Sequence, residues 1–170
     1  MTATPLYTPA DLAWFRENYG ETEFLVHVIG PDLKMAADDE GKPFTLYEAD
    51  RLARRINEAP AAFTPRHATV FHYGRPLAAP EDIPAAPGFL AEELAFFKKE
   101  YGGTAWMVYV HGMDECYEQR EEDDQPFTEE GARKLMANMA IWNREHVAEG
   151  LSASPTTLFH YGEPVTAVAK

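Results

Sequence analysis

The sequence predicts an α+β protein built as a tandem duplication of one α-β-(β)-α-β unit. Three observations carry this. The hexapeptide "FHYGRP" at 71–76 returns as "FHYGEP" at 159–164. Longer blocks around it recur in the same order. Within each copy, a helical spacing of three and four residues alternates with the two-residue period of strands.

Four blocks define the repeat. "LAWFRENYG" (12–20) matches "LAFFKKEYG" (94–102), and "TEFLVHVIGPD" (22–32) matches "TAWMVYVHGMD" (104–114). "KPFTLYEADRL" (42–52) matches "QPFTEEGARKL" (125–135), and "TVFHYGRP" (69–76) matches "TLFHYGEP" (157–164). The offset grows from 82 to 83 to 88, so the second copy carries small insertions. Between the copies, "AAPEDIPAAPG" holds three prolines, which interrupt helix and sheet alike. The expected organisation is a first unit at 1–78, a semi-rigid linker at 79–88 and a second unit at 89–170.

The elements follow in order. Leu12, Phe15 and Tyr19 recur at helical spacing, as do Leu94, Phe97 and Tyr101, and Gly20 and Gly102 stand where a left-handed stop would fall. The next block is rich in Val and aromatics and reads as a strand. Gly-Pro-Asp and Gly-Met-Asp then mark turns, after which "LKMAA" and "ECYEQR" run back as hairpin partners. Thr45 and Thr128 are positioned to cap the second helix of each unit, with Phe44 and Phe127 before them as staples. The last block is a strand closed by Gly-x-Pro. The expected packing puts the helices on one face of antiparallel or mixed sheets, with pseudo-twofold character.

Alternation sorts the strand residues into two faces. One carries Phe24, Val26 and Val28, with Trp106, Val108 and Val110 in the second copy. Phe71, Tyr73, Phe159 and Tyr161 are assigned to the same buried face. The other face carries Leu25, His27, Ile29, Met107, Tyr109 and His111, joined by Val70, His72, Leu158 and His160. It is too apolar for open solvent and too rich in His and Tyr for a dry core. It is therefore a candidate meeting place of the two units, or a surface for a partner.

Composition limits the function. The net charge of −13 disfavours phosphate backbones and anionic lipid, so nucleic-acid and membrane binding are not expected. Residues 1–80 hold 8 Lys/Arg against 11 Asp/Glu, whereas residues 81–170 hold 7 against 17. Asp114 to Glu130 alone contains nine acids and one base, Arg120. The first copy instead places Arg51, Arg54 and Arg55 on its second helix, a lopsidedness that favours an oriented protein encounter. The single cysteine, the absence of a signal-peptide pattern at the start and the lack of a long apolar run suggest a soluble, cytoplasmic protein.

No motif identifies a reaction. The chain has no G-x-S-x-G, no Walker loop and no G-x-G-x-x-G. His72 and His160 would be the start of a metal or hydrolytic site, yet no ligand spacing such as HExxH or CxxC accompanies them, so neither metal nor cofactor is expected. Cys116 sits among Asp114, Glu115, Glu118 and Glu121, and nearby negative charge makes a thiol less nucleophilic. The acidic run lacks the alternating oxygens and glycine bend of a calcium loop. Glu118, Glu121, Glu122, Asp123 and Asp124 are instead a candidate binding surface.

The pattern "VHVIGPD…PFT…A…L" resembles small uncharacterised phage or prophage α+β proteins over about half of each unit. That resemblance implies an acidic, anti-CRISPR-like inhibitor of a host system and assigns no residue a role. The expected function is thus a non-enzymatic module that recognises another protein with a basic surface, with homodimerisation open. A narrower alternative is an acidic inhibitor that imitates nucleic acid. A different alternative is a small hydrolase or metal enzyme using the strand histidines.

Overall fold

The computed structural model describes residues 6–59 and 67–165. It is α+β, with four α-helices among the described residues and two antiparallel four-stranded sheets. The chain divides into two compact units, Met1–Asp82 and Ile83–Lys170.

The first unit runs α1 (Pro9–Tyr19), β1 (Phe24–Ile29), β2 (Leu33–Met35), α2 (Leu46–Glu58), β3 (His67–His72) and β4 (Arg75–Pro76), with sheet order β2-β1-β3-β4. A 3-10 turn at Pro80–Asp82 follows. The second unit runs α3 (Ala91–Tyr101), β5 (Trp106–Val110), β6 (Glu115–Tyr117), α4 (Glu129–Ala148), β7 (Thr156–His160) and β8 (Glu163–Pro164), with order β6-β5-β7-β8. The element order and the strand order are the same in both. Every pairing is antiparallel, which decides between the two sheet types expected.

Local chemistry starts the helices. Thr8 accepts from the Asp11 amide while the Asp11 carboxylate accepts from the Thr8 amide, and Pro9 stands at the first helical position. Thr45 and Glu48 repeat this box on α2, and Thr128 caps α4 through the Gly131 amide. At α3 the cap residue is Leu90, so only the Glu93 half of the box remains. Gly20 and Gly102 differ from the expected left-handed stops. Their φ angles are −64° and −62°, and glycine fits there because a Cβ would lie 2.4 and 2.5 Å from the carbonyls of Arg16 and Lys98.

The repeated hexapeptide is a hairpin. His72 pairs with Arg75 and His160 with Glu163, leaving a two-residue turn of Tyr-Gly. Tyr73 and Gly74 have φ of 46° and 76°, and Tyr161 and Gly162 have 47° and 74°. Positive φ at both central residues is the twist that suits a tight antiparallel hairpin. The turn also lies against the first helix of its unit. A Cβ on Gly74 would be 2.7 Å from Arg16 Cα, and one on Gly162 would be 2.7 Å from the Phe97 carbonyl oxygen. Tyr73 and Tyr161 are therefore not core residues as the strand reading expected. They sit at the turn, 47% and 48% exposed.

Two further corrections concern the faces. Leu25 lies opposite Phe71 and Val26 opposite Val70, so Phe71 shares the face of Leu25 and His27, not that of Phe24 and Val26. In the second unit Met107 is likewise opposite Phe159 and Val108 opposite Leu158. Period alone gives the faces of one strand. The register that joins it to a strand some forty residues away is a tertiary property.

Nor do both helices share a face. Phe15 of α1 packs on Leu25 and Phe71, and Phe97 of α3 on Met107 and Phe159. Ala132 of α4, with Phe127, packs on Val108 and Leu158 across the sheet. In the first unit α2 lies against β1 and β3, with Ala49 fully buried and Val26 and Val70 covered. Each sheet is a middle layer. That is why "FLVHV" reads as an almost unbroken apolar run with all five residues buried.

A side-chain clamp ties each second helix to the next strand or to the segment leading into it. Asn57 accepts from the Ala68 amide at 2.7 Å and donates to its carbonyl at 3.0 Å. Asn143 makes the same pair with Ser154, at 2.8 and 2.9 Å. Asn57→Ala or Asn143→Ala should cost about 1–3 kcal/mol, because both backbone groups lose a partner where water reaches poorly. Denaturant unfolding reads this, and a loss below about 0.5 kcal/mol would show that the clamp contributes little.

Candidate functional site

In the first unit, His27 lies on the α1 side of β1 and is 6% exposed. Tyr7 reaches its Nδ1 at 2.9 Å and Asp32 its Nε2 at 2.9 Å. Asp32 has φ of 53° at the β1–β2 turn, which curls its carboxylate back over the strand. Lys34 pairs with His27 across β1 and β2, donates to Asp32 at 2.7 Å and stands 5.1 Å from the Trp14 ring centroid. Lys34 and then His27 hold the Asp32 carboxyl below the usual carboxylate range. Burial pushes the Tyr7 phenol up to about 12. Leu6, Asp11, Trp14 and Ile29 close these groups into a cleft of about 350 Å³.

This constellation holds structure together more readily than it could move protons. Both imidazole nitrogens are engaged, so neither is open to a substrate or a metal. A phenol titrating near 12 stays protonated at neutral pH. The chain Tyr7–His27–Asp32–Lys34 ties the segment before α1 to the sheet.

The second unit keeps the aspartate, as Asp114, and replaces the other three members. Phe89 takes the place of Tyr7 over the buried rings, 5.4 Å from both Phe97 and Phe159. Tyr109 stands for His27 and donates to Asp114 at 2.9 Å. Its phenol is pushed up to about 12, first by burial and then by that bond. Cys116 stands for Lys34, and burial first, with Asp114 and Glu118 adding to it, raises its thiol above the ordinary value. His111 is 8% exposed, 2.7 Å from the Thr157 hydroxyl, and burial lowers its imidazole pKa. His27, Tyr109 and His111 are thus covered within their own units by α1 or by Phe89 and α3, and do not form an open face.

His72 and His160 lie on the opposite side, next to the hairpin turns. His160 stacks on Trp106 at 4.1 Å, and His72 lies 5.2 Å from Phe24. Each continues onto its exposed tyrosine at 4.5–4.6 Å. Among the described residues, no group of three or more His, Cys, Asp or Glu is placed to hold a metal ion. No helix among them is long and apolar enough to cross a membrane.

The acidic run forms a closed loop between β6 and α4. Gln119 bridges to Pro126, the Arg120 amide donates to Gln125 at 2.9 Å, and the Asp124 amide donates back to Arg120 at 3.0 Å. The Arg120 guanidinium is bound by Asp123, which consumes the run's one positive charge. Glu121, Glu122 and Asp124 are exposed, and their side chains make no hydrogen bond or ion pair among the described residues. Glu118 accepts from the Thr104 hydroxyl at 2.6 Å.

Beside this loop opens a cleft of about 610 Å³, lined by Trp106, Tyr117, Glu118, Thr104, Gln119 and Pro126 among others. The sequence reading did not find it. Trp106 was assigned to a buried face, and Tyr117 was one letter in an acidic stretch. The pairing of β5 with β6 brings them together. No protein-family model, curated protein or solved structure matches this chain.

Proposed function

We propose that the chain is a non-enzymatic binding protein, descended from a tandem duplication, that recognises a protein with a basic surface through the acidic loop of its second unit. The observation that carries this is the loop tip. Its own arginine is already paired, and three carboxylates face solvent with no hydrogen bond or ion pair among the described residues. Such a group steers a positive surface over a distance of about 8 Å at physiological ionic strength. The equivalent loop of the first unit carries fewer acids, with Asp38 accepting from the Glu40 and Lys42 amides and the exposed Asp39 and Glu40 standing beside Lys42. The four repeated blocks and the shared hairpin support the duplication, and divergence at this loop gives the second copy its own task. An inhibitor that imitates nucleic acid is the narrower form of the same reading. The second alternative, a hydrolase or metal enzyme using His72 and His160, has less behind it, since each imidazole lies against an aromatic ring, Phe24 or Trp106.

The test is affinity capture from host extract with wild type and a variant carrying Glu121→Gln, Glu122→Gln and Asp124→Asn. The variant should unfold like wild type, because exposed charges contribute within about 0.5 kcal/mol. Wild type should retain a basic protein that the variant loses. Retention of the same proteins by both, or of none by either, would contradict the proposal.

A further inference from the structure

The cleft beside the acidic loop has a chemistry of its own. Trp106 and Tyr117 supply half-buried aromatic surface, and Glu118 places a carboxylate at the same opening. Thr104 engages one Glu118 oxygen and so fixes the carboxylate. Glu115 receives the Tyr117 hydroxyl at 2.5 Å, which adds a second negative group next to that ring. Among the described residues, no Lys or Arg lines the opening. Arg120, the only base of the run, is held by Asp123 instead. The matching positions in the first unit are Phe24, Met35 and Ala36, with no carboxylate and no tryptophan. At this place in the repeat the aromatic and acidic pairing is therefore found in the second unit and not in the first, whose own Trp14 cleft already holds a cation, Lys34.

We propose that this cleft receives an arginine side chain from an extended basic segment of the partner. The proposal rests on the protein-binding reading above and names the contact that reading lacks. Aromatic surface attracts a cation through the ring quadrupole, and the attraction strengthens as water is displaced. A guanidinium is planar and weakly hydrated. It can lie on a ring while forking toward a carboxylate, which an ammonium does less well. The volume falls in the range of about 300–1,000 Å³ typical of small-ligand sites. The unpaired tip carboxylates then act as a rim that guides the segment, and the cleft acts as the anchor.

The experiment is a titration of the whole protein with a tetra-arginine peptide, read by the indole N–H resonance of Trp106. That resonance is assigned by its loss in Trp106→Phe, a change that keeps an aromatic ring on the core. Tetra-arginine should shift it saturably, and tetra-lysine more weakly. Glu118→Gln keeps the Thr104 bond and removes the charge, so it should lower the affinity for tetra-arginine about tenfold. The tip variant should keep the Trp106 shift while flattening its salt dependence. If tetra-arginine moves only the amides of 121–124, the cleft proposal fails and the acidic-loop reading stands. If neither set moves, both fail. A Gly-Ser peptide that shifts Trp106 equally, or an unchanged affinity in Glu118→Gln, also overturns the proposal.

Discussion

Phe159→Ala and Phe71→Ala should each destabilise their unit by about 3–5 kcal/mol, the range for removing a large side chain from a packed core. Both rings are 0% exposed. Phe71 stacks on Phe15 at 4.2 Å, and Phe159 lies 4.6 Å from Phe97. Each joins the first helix of its unit to the sheet, so the cavity would open at the seam between layers. The neighbouring exposed tyrosines give the contrast. Tyr73→Ala and Tyr161→Ala should change stability by about 1 kcal/mol or less. Denaturant unfolding of the four variants reads this directly. Equal losses for phenylalanines and tyrosines would mean that the hairpin starts elsewhere, and a loss below about 1 kcal/mol for Phe71→Ala would mean that α1 does not cover it.

Gly74→Ala and Gly162→Ala should cost about 3 kcal/mol or more, from two causes that act together. A Cβ in the left-handed region costs about 1–2 kcal/mol. Here it would also strike backbone, at 2.7 and 2.8 Å for Gly74 and at 2.7 and 2.9 Å for Gly162. Backbone cannot rotate away as a side chain can, so the hairpin must lift from the helix. Gly41→Ala separates the causes, since Gly41 has φ of 81° with nothing within 4 Å. It should lose only about 1 kcal/mol, the conformational part alone. If Gly74→Ala costs no more than Gly41→Ala in thermal or denaturant unfolding, the close approach of hairpin and helix is wrong.

These glycines answer why the hexapeptide is written twice. A Tyr-Gly turn with both φ positive is needed wherever the short last strand folds back against the first helix. The repeated blocks, the helices, the Thr caps of α2 and α4 and the β2 and β6 hairpin partners were legible because each rests on local chemistry. The sharing of faces was not. In "FLVHV" both faces are apolar, so period two marks no inside, and only the opposition of Leu25 to Phe71 shows which residues meet. Tyr73 was misplaced because tyrosine is a strand former and lacks the Asn-Gly signature of such turns.

The candidate site divides in the same way. Exposure of the acidic loop was legible from a run of like charges around one arginine. The burial of His27 was not, because its cover includes Tyr7 and Phe15, which lie upstream in sequence. The Trp106–Tyr117–Glu118 cleft depends on strand pairing and on a side chain, Thr104, that no motif singles out.

The central claim is that the second unit meets a basic protein through its acidic loop. The most direct test is the association rate with the captured partner, measured at low and at physiological ionic strength for wild type and for the variant with Glu121→Gln, Glu122→Gln and Asp124→Asn. The account predicts that wild type associates faster at low salt and slows as salt rises, while the variant is slower at low salt and nearly insensitive to it. Equal rates and equal salt dependence for the two proteins would contradict it.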